Sequence, residues 1–224
     1  MTTLVNSADS HVVEPLDLWV QRLPEHLRAR APRIEEVDGR WLFLVEGSPP
    51  RRMGPPTEEA KKGREEAKKG RDEAEKKGTG FRAGGSDPDV RAKDLDEDGV
   101  WGEVLYPTIA LFGFVIPDPE LRWATARAYN DWLAETFTAA SKRFAGAALI
   151  PVQEPGEAVR EIDRVAGLGL RSVMLPMQAP ADAPYNSDRY DSVWAAAQAH
   201  GMPVSFHVGT GANPVTERGA GGAV

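Results

Sequence analysis

The sequence predicts an α/β fold on about five parallel strands with one charged insertion, and three observations support it. Five short apolar runs each stop at Pro, Gly or a polar cluster. Segments of helical periodicity separate the later runs. Between the first and second runs, a long Pro- and Gly-rich excursion holds a charged repeat.

In order, the run Leu4 to Ala8 leads into Asp9-Ser10-His11, and Val100 to Tyr106 leads into Pro107-Thr108. Phe144 to Val152 leads into Gln153-Glu154-Pro155, and Leu170 to Leu175 stops at Pro176. The fifth run, Pro203 to Val208, enters Gly209-Thr210-Gly211. Runs this short, bounded by breakers, suit strands buried on both faces of a parallel sheet. Asp118 is a candidate N-cap with Pro119 at the first helical position, and Leu121, Ala124, Ala128, Trp132 and Phe137 recur near the helical period. Pro155 to Ala166 sets Ala158, Ile162 and Val165 on one face and stops at Gly167 and Gly169. Asp188 to His200 carries Tyr190, Val193, Trp194 and Ala197, and Gly201 ends it. Strand–helix alternation implies βαβ units with right-handed crossovers. The excursion between the first two strands is longer than a simple crossover and is expected to serve as a lid or binding loop, or to be disordered.

Within that excursion, Glu58-Glu59-Ala60-Lys61-Lys62-Gly63-Arg64 repeats as Glu65-Glu66-Ala67-Lys68-Lys69-Gly70-Arg71, and a looser copy follows from Asp72. A period of seven invites a coiled coil, yet Ala is the one apolar residue in each copy. A coiled-coil seam needs two larger apolar positions per heptad. Each internal Gly also costs about 1 kcal/mol of helix stability. Residues 58–78 therefore read as a solvated, fraying helix or disordered insertion within a single domain spanning 1–224, ahead of a partner-binding helix.

Composition narrows the function classes. A chain of 224 residues can bury a full core, and its apolar share is 41%. With no Cys, neither a disulfide framework nor a thiolate metal site is possible, so any metal must be held by imidazole and carboxylate. The formal charge of −7 argues against nucleic acid as a partner. The charged repeat does not change this, because its eight Lys or Arg face seven Asp or Glu. No run approaches the ~20 apolar residues of a membrane span, and Met1-Thr2-Thr3-Leu4-Val5 does not open a signal peptide. A cytoplasmic protein with no membrane partner is the expectation.

In parallel α/β barrels, polar side chains at the carboxyl ends of the strands build the site. That rule selects Asp9 and His11 after the first strand and His207 at the fifth. Residues two apart on a strand point the same way, so Asp9 and His11 can converge on one ion while His207 reaches it from across the barrel. One carboxylate and two imidazoles suit zinc, manganese or iron, with positions left for water and substrate. Read singly, Asp9-Ser10-His11 is a strand-end turn and His207 a satisfied core histidine; read together they form a site. Tyr106 either lines the pocket as a substrate-binding residue or packs beneath the lid. Glu14 reads as a loop cap before Pro15, ahead of a fourth metal-proximal group. Arg51 and Arg52 read as solvated loop residues, ahead of a bidentate clamp on a substrate carboxylate. His26 and His200 read as surface residues, and Gly209-Thr210-Gly211 lacks the Lys of a phosphate loop.

Four stretches resemble the amidohydrolase-related family, in the branch of aminocarboxymuconate-semialdehyde decarboxylase-like enzymes. They are Asp9-Ser10-His11-Val12-Val13-Glu14-Pro15 with Asp17-Leu18-Trp19; Tyr129-Asn130-Asp131-Trp132-Leu133; Arg143-Phe144-Ala145-Gly146 with Ile150-Pro151; and Pro203-Val204-Ser205-Phe206-His207. The resemblance implies a metal-dependent hydrolase barrel of the TIM (β/α)8 type, present here in part. It also implies one divalent ion, zinc ahead of manganese, with Asp9, His11 and His207 matching the family's ligands from the first and fifth strands. The substrate it implies is a small aromatic or muconate-type carboxylic acid, which is decarboxylated or hydrolysed.

The family's site is completed by a His after a sixth strand and an Asp after an eighth, and neither has a counterpart before Val224. The expectation is thus a chain cut short after its fifth strand, with catalytic residues unassigned and negligible turnover even with metal supplied. Two function classes follow: an impaired metal-dependent decarboxylase or hydrolase, or a non-catalytic remnant serving as a binding or assembly partner. Homo-oligomer formation is the remaining expectation.

Overall fold

The computed structural model describes residues 4–52, 83–180 and 182–210; the repeat at 58–78 lies outside them. Its strands are β1 (Val5–His11), β2 (Arg33–Val37), β3 (Arg40–Leu44), β4 (Arg51–Arg52), β5 (Val100–Tyr106), β6 (Phe144–Leu149), β7 (Ser172–Pro176) and β8 (Val204–His207). The five expected runs pair in parallel in the order β1-β5-β6-β7-β8. Burial explains their composition. All five residues of β7 are buried, as are all of β6 except Ala145, so neither strand shows the alternation of a half-exposed sheet.

The helices are α1 (Leu18–Arg22), α2 (Glu25–Arg28), α3 (Pro88–Asp98), α4 (Pro119–Leu133), α5 (Pro155–Gly167) and α6 (Asp191–Ala199). As the sequence predicts, Asp118 caps α4, accepting from Glu120 N at 2.9 Å and Leu121 N at 3.4 Å. Leu121, Ala128, Trp132 and Phe137 are buried beneath it. The helix α3 was not expected, although it carries its own punctuation. Asp87 accepts from Asp89 N and Val90 N, Pro88 opens the helix, and Gly99 closes it at φ 68°, a left-handed angle that favours glycine.

The sheet curls into a half-barrel. Four intervals of about 4.8 Å would leave β1 and β8 about 19 Å apart in a flat sheet. Yet the imidazoles of His11 and His207, one on each outer strand, meet at 3.2 Å. Curvature is therefore what assembles the rim.

The excursion after β1 is not loop throughout. Among its described residues, β2, β3 and β4 form a small antiparallel sheet. Asp38-Gly39, both at positive φ, make the tight turn between β2 and β3. Phe43 is buried and stacks against Phe112 with ring centroids 5.7 Å apart. Arg51 and Arg52 are exposed, as read above, but form an edge strand and not a loop, and the Arg51 guanidinium lies 4.1 Å from the Phe112 ring centroid. The alternation in Arg33–Val37 and Arg40–Leu44 is too short and too charged to stand out against the surrounding Pro and Gly.

Asn130 ties helix to sheet from a fully buried position. Its Oδ1 accepts from Leu149 N at 2.7 Å, and its Nδ2 donates to Leu149 O at 3.1 Å and Glu161 Oε1 at 2.8 Å. Asn130→Ala is expected to lower unfolding free energy by about 2–4 kcal/mol, because it strands a buried N–H and a carbonyl. Urea denaturation tests this, and a loss below about 1 kcal/mol, the net value of one ordinary hydrogen bond, would refute the tie.

Candidate metal centre

Strand β1 delivers Asp9 through a β-bulge. Ser7 pairs with Glu103 and Ser10 with Leu105, so three residues of β1 advance against two of β5. The Ser7 and Ser10 hydroxyls bond across the bulge at 2.8 Å. Bulges re-aim side chains at strand ends, and here Asp9 Oδ1 comes within 3.6 Å of His11 Nε2 and 3.4 Å of His207 Nε2. His11 and His207 approach edge to face, Nε2 to Nε2 at 3.2 Å. The three ligand atoms all lie within 4.8 Å of one another.

Their other ring nitrogens fix the tautomers. His11 Nδ1 lies 2.7 Å from Pro107 O, and His207 Nδ1 lies 2.7 Å from Val208 O. A carbonyl oxygen only accepts, so each Nδ1 carries the hydrogen and donates it. With Nδ1 engaged on each ring, both Nε2 atoms turn toward each other and toward the Asp9 carboxylate, where they can meet an ion. Divalent ions with bonds of about 2.0–2.2 Å set neighbouring ligand atoms about 3.0–3.5 Å apart. The observed triangle of 3.2, 3.4 and 3.6 Å fits that spacing.

Tyr106 is buried and pairs in register with His11. Its ring centroid lies 5.2 Å from that of His207 and 6.2 Å from that of His11, so it backs both imidazoles. Glu14 is not a fourth metal-proximal group. It is a buried cap, of a distant loop as well as its own backbone: its carboxylate accepts from Thr108 N at 3.1 Å, Ile109 N at 3.0 Å and Ala110 N at 2.9 Å, and from its own N–H. Burial pushes its carboxyl above the ordinary value, against the pull of those N–H groups. His26 and His200 lie elsewhere, paired with Glu120 and Asp163, each at 2.8 Å. Thr210 is a staple: its hydroxyl donates to His207 O at 2.5 Å and accepts from Met177 N at 2.7 Å, joining the ends of β7 and β8.

Sequence reasoning missed a second brace. Arg91 on α3 and Glu103 on β5 form a buried ion pair, and Arg91 Nη1 also donates to His11 O at 3.0 Å and Gly84 O at 3.1 Å. The guanidinium thus grips the backbone of His11 from outside the barrel. An Arg–Glu pair twelve residues apart across a helix–strand junction has no sequence signature; the turn at Gly99, which folds α3 back along β5, brings it together.

With this geometry in view, known proteins give a consistent picture. A family model described as Amidohydrolase matches residues 108–221. The gamma-resorcylate decarboxylase of Polaromonas sp. (strain JS666 / ATCC BAA-500) is 30% identical over 128 residues, covering 53% of this chain and 38% of that protein. The crystal structure of an amidohydrolase from Mycobacterium avium subsp. paratuberculosis K-10 has a TM-score of 0.68 at 18% identity, over 93% of this chain and 59% of that one. A dihydroxybenzoic acid decarboxylase from Polaromonas sp. JS666, solved with bound manganese and the inhibitor 2-nitroresorcinol, has a TM-score of 0.56 at 20% identity, over 97% and 52%. At these identities the two structures establish the shared fold. The chain spans less than two thirds of each relative's length. Among the described residues, no helix is long and apolar enough to cross a membrane.

Arg91→Met is expected to cost about 3–5 kcal/mol, since it leaves the Glu103 carboxylate buried and unpaired. The double variant Arg91→Met/Glu103→Leu should recover the share due to the unpaired carboxylate, leaving the loss of the His11 and Gly84 carbonyl contacts. Equilibrium denaturation of both variants checks the pair; equal losses in single and double variants would count against it.

Proposed function

The chain belongs to the amidohydrolase family, and from that premise we propose that it is a metal-dependent enzyme acting on small aromatic carboxylic acids, with decarboxylation as the reaction. One observation carries the proposal: two imidazole Nε2 atoms and one carboxylate oxygen converge at 3.2–3.6 Å. Asp9, His11 and His207 would hold the ion. The donor set suits zinc, and the manganese in the Polaromonas decarboxylase structure supports manganese equally. When bound, such an ion polarises a substrate carboxylate or lowers the pKa of water.

The chain's own residues supply orientation. His11 and His207 present Nε2 because Pro107 and Val208 hold their Nδ1 hydrogens. Tyr106, which lies against both rings, would offer an aromatic wall for a planar acid. Decarboxylation is favoured over hydrolysis by the curated relative at 30% identity, a gamma-resorcylate decarboxylase.

Titration of the purified chain with manganese is expected to give one site per chain. Loss of a direct ligand in His11→Ala or His207→Ala should weaken binding more than the 10- to 100-fold typical of an outer-shell partner. Unchanged affinity in both variants would end the metal proposal. Carbon dioxide release from hydroxylated benzoates, lost in His11→Ala, would support the lyase reading. Amide or ester cleavage without carbon dioxide would assign a hydrolase instead.

A further inference from the structure

The His11 ring and the Glu14 carboxylate hold opposite ends of one peptide unit. The bond between Pro107 and Thr108 is a planar trans amide, so its C=O and N–H point in opposite directions and turn together. Its carbonyl accepts from His11 Nδ1 at 2.7 Å, and its N–H donates to Glu14 Oε1 at 3.1 Å. The next two N–H groups, of Ile109 and Ala110, also donate to the Glu14 carboxylate. The Thr108 hydroxyl donates to Val12 O at 2.7 Å, and Val12 N donates to Tyr106 O at 2.9 Å. Glu14 is only 1% exposed, so neither water nor a second side chain can take over its role without cost.

We propose that Glu14 is a positioning residue for His11: by fixing the plane of the 107–108 peptide, it fixes the carbonyl that sets the imidazole's tautomer and direction. This rests on the reading that His11 Nε2 is a metal ligand. The contrast with His207 sharpens it. His207 is held by the carbonyl of the very next residue, independently of Glu14. Removing Glu14 should therefore disturb one imidazole and spare the other, an asymmetry that general loosening of the fold would not produce.

Glu14→Gln keeps the shape but sets an NH2 group, which cannot accept, against the turn's N–H donors. In the metal-free 15N-labelled chain, long-range 1H–15N spectra read the tautomer of each His ring. The wild type is expected to show His11 with hydrogen on Nδ1, and Glu14→Gln a mixture at His11 with hydrogen still on Nδ1 of His207. Calorimetric titration with zinc alone should show affinity 10- to 100-fold weaker in the variant. A folded Glu14→Gln with wild-type His11 signals and zinc affinity would overturn the proposal, as would equal changes at both rings. If Glu14→Gln does not fold, Thr108→Ala removes the tie to Val12 with less disruption. With Glu14 still holding the 108–110 N–H groups, His11 should keep its hydrogen on Nδ1 there, and a tautomer mixture in Thr108→Ala would show that the Val12 tie, not Glu14, fixes the peptide and would overturn the proposal. Failure of the wild type to bind zinc or manganese would sink the metal reading, while the tautomer comparison would still decide the role of Glu14.

Discussion

Parallel pairing of β1 with β5 is the constraint on which the site depends. It joins residues nearly a hundred positions apart and sets His11 opposite Tyr106. Because each further strand is added in parallel, every carboxyl end falls on the same rim, and Pro176 meets His207 at the far side. Sheet curvature then closes the gap between the two outer strands, and the rings meet. Without that register, Asp9, His11 and His207 would be three unrelated polar residues. The ties that reinforce it cluster at the strand ends: Val12 to Tyr106, Thr108 to Val12, Glu14 to the 108–110 turn, and Arg91 to Glu103 and His11.

The sequence made the five parallel strands legible because each is a short run ended by a breaker; the expected burial on both faces holds for β6 and β7, whereas the outer strands β1 and β8 are exposed or half-buried. The geometric convergence of Asp9, His11 and His207 was legible for a related reason: at the carboxyl ends of parallel strands, few polar residues compete with them. What was hidden depends on partners distant in sequence. Nothing near Glu14 announces that its carboxylate serves residues 108–110, and a cap before Pro15 was the nearest local explanation. The small sheet at 33–52 was hidden by composition, since its strands are short and carry Arg and Glu. The helix at 88–98 had legible signals in Asp87, Pro88 and Gly99, and lacked only an apolar face strong enough to draw the eye; of its residues only Leu95 is buried.

The excursion after β1 gains a physical role from these contacts. Phe43 packs on Phe112, and Arg51 stacks on the same ring. Phe112 lies in the helical turn Ala110–Val115, whose first N–H is one of the three gripped by Glu14. Gly47 approaches the same turn so closely that a side-chain carbon there would lie 2.1 Å from Val115 O, and its φ of 82° already favours glycine. The small sheet thus braces, from outside, the turn that leads back through Thr108 and Pro107 to the His11 ring.

The two imidazoles are supported unequally, and the difference follows from where each sits along its strand. His207 ends β8 and folds back on its own next carbonyl, with Thr210 closing the turn behind it. Its ring is oriented by local geometry, while pairing with β7 places the strand that carries it. His11 ends the longer β1 and takes its carbonyl from another strand's exit, so its position needs the β1–β5 register, the Glu14 grip and the Arg91 clamp all at once. Asp9, on the bulge, has a side chain 73% exposed. A metal held by this set would meet one ligand oriented locally, one fixed through long-range packing and one free to adjust. Order at such a centre is set by the long-range ties around His11, because they can be loosened from more directions than the others.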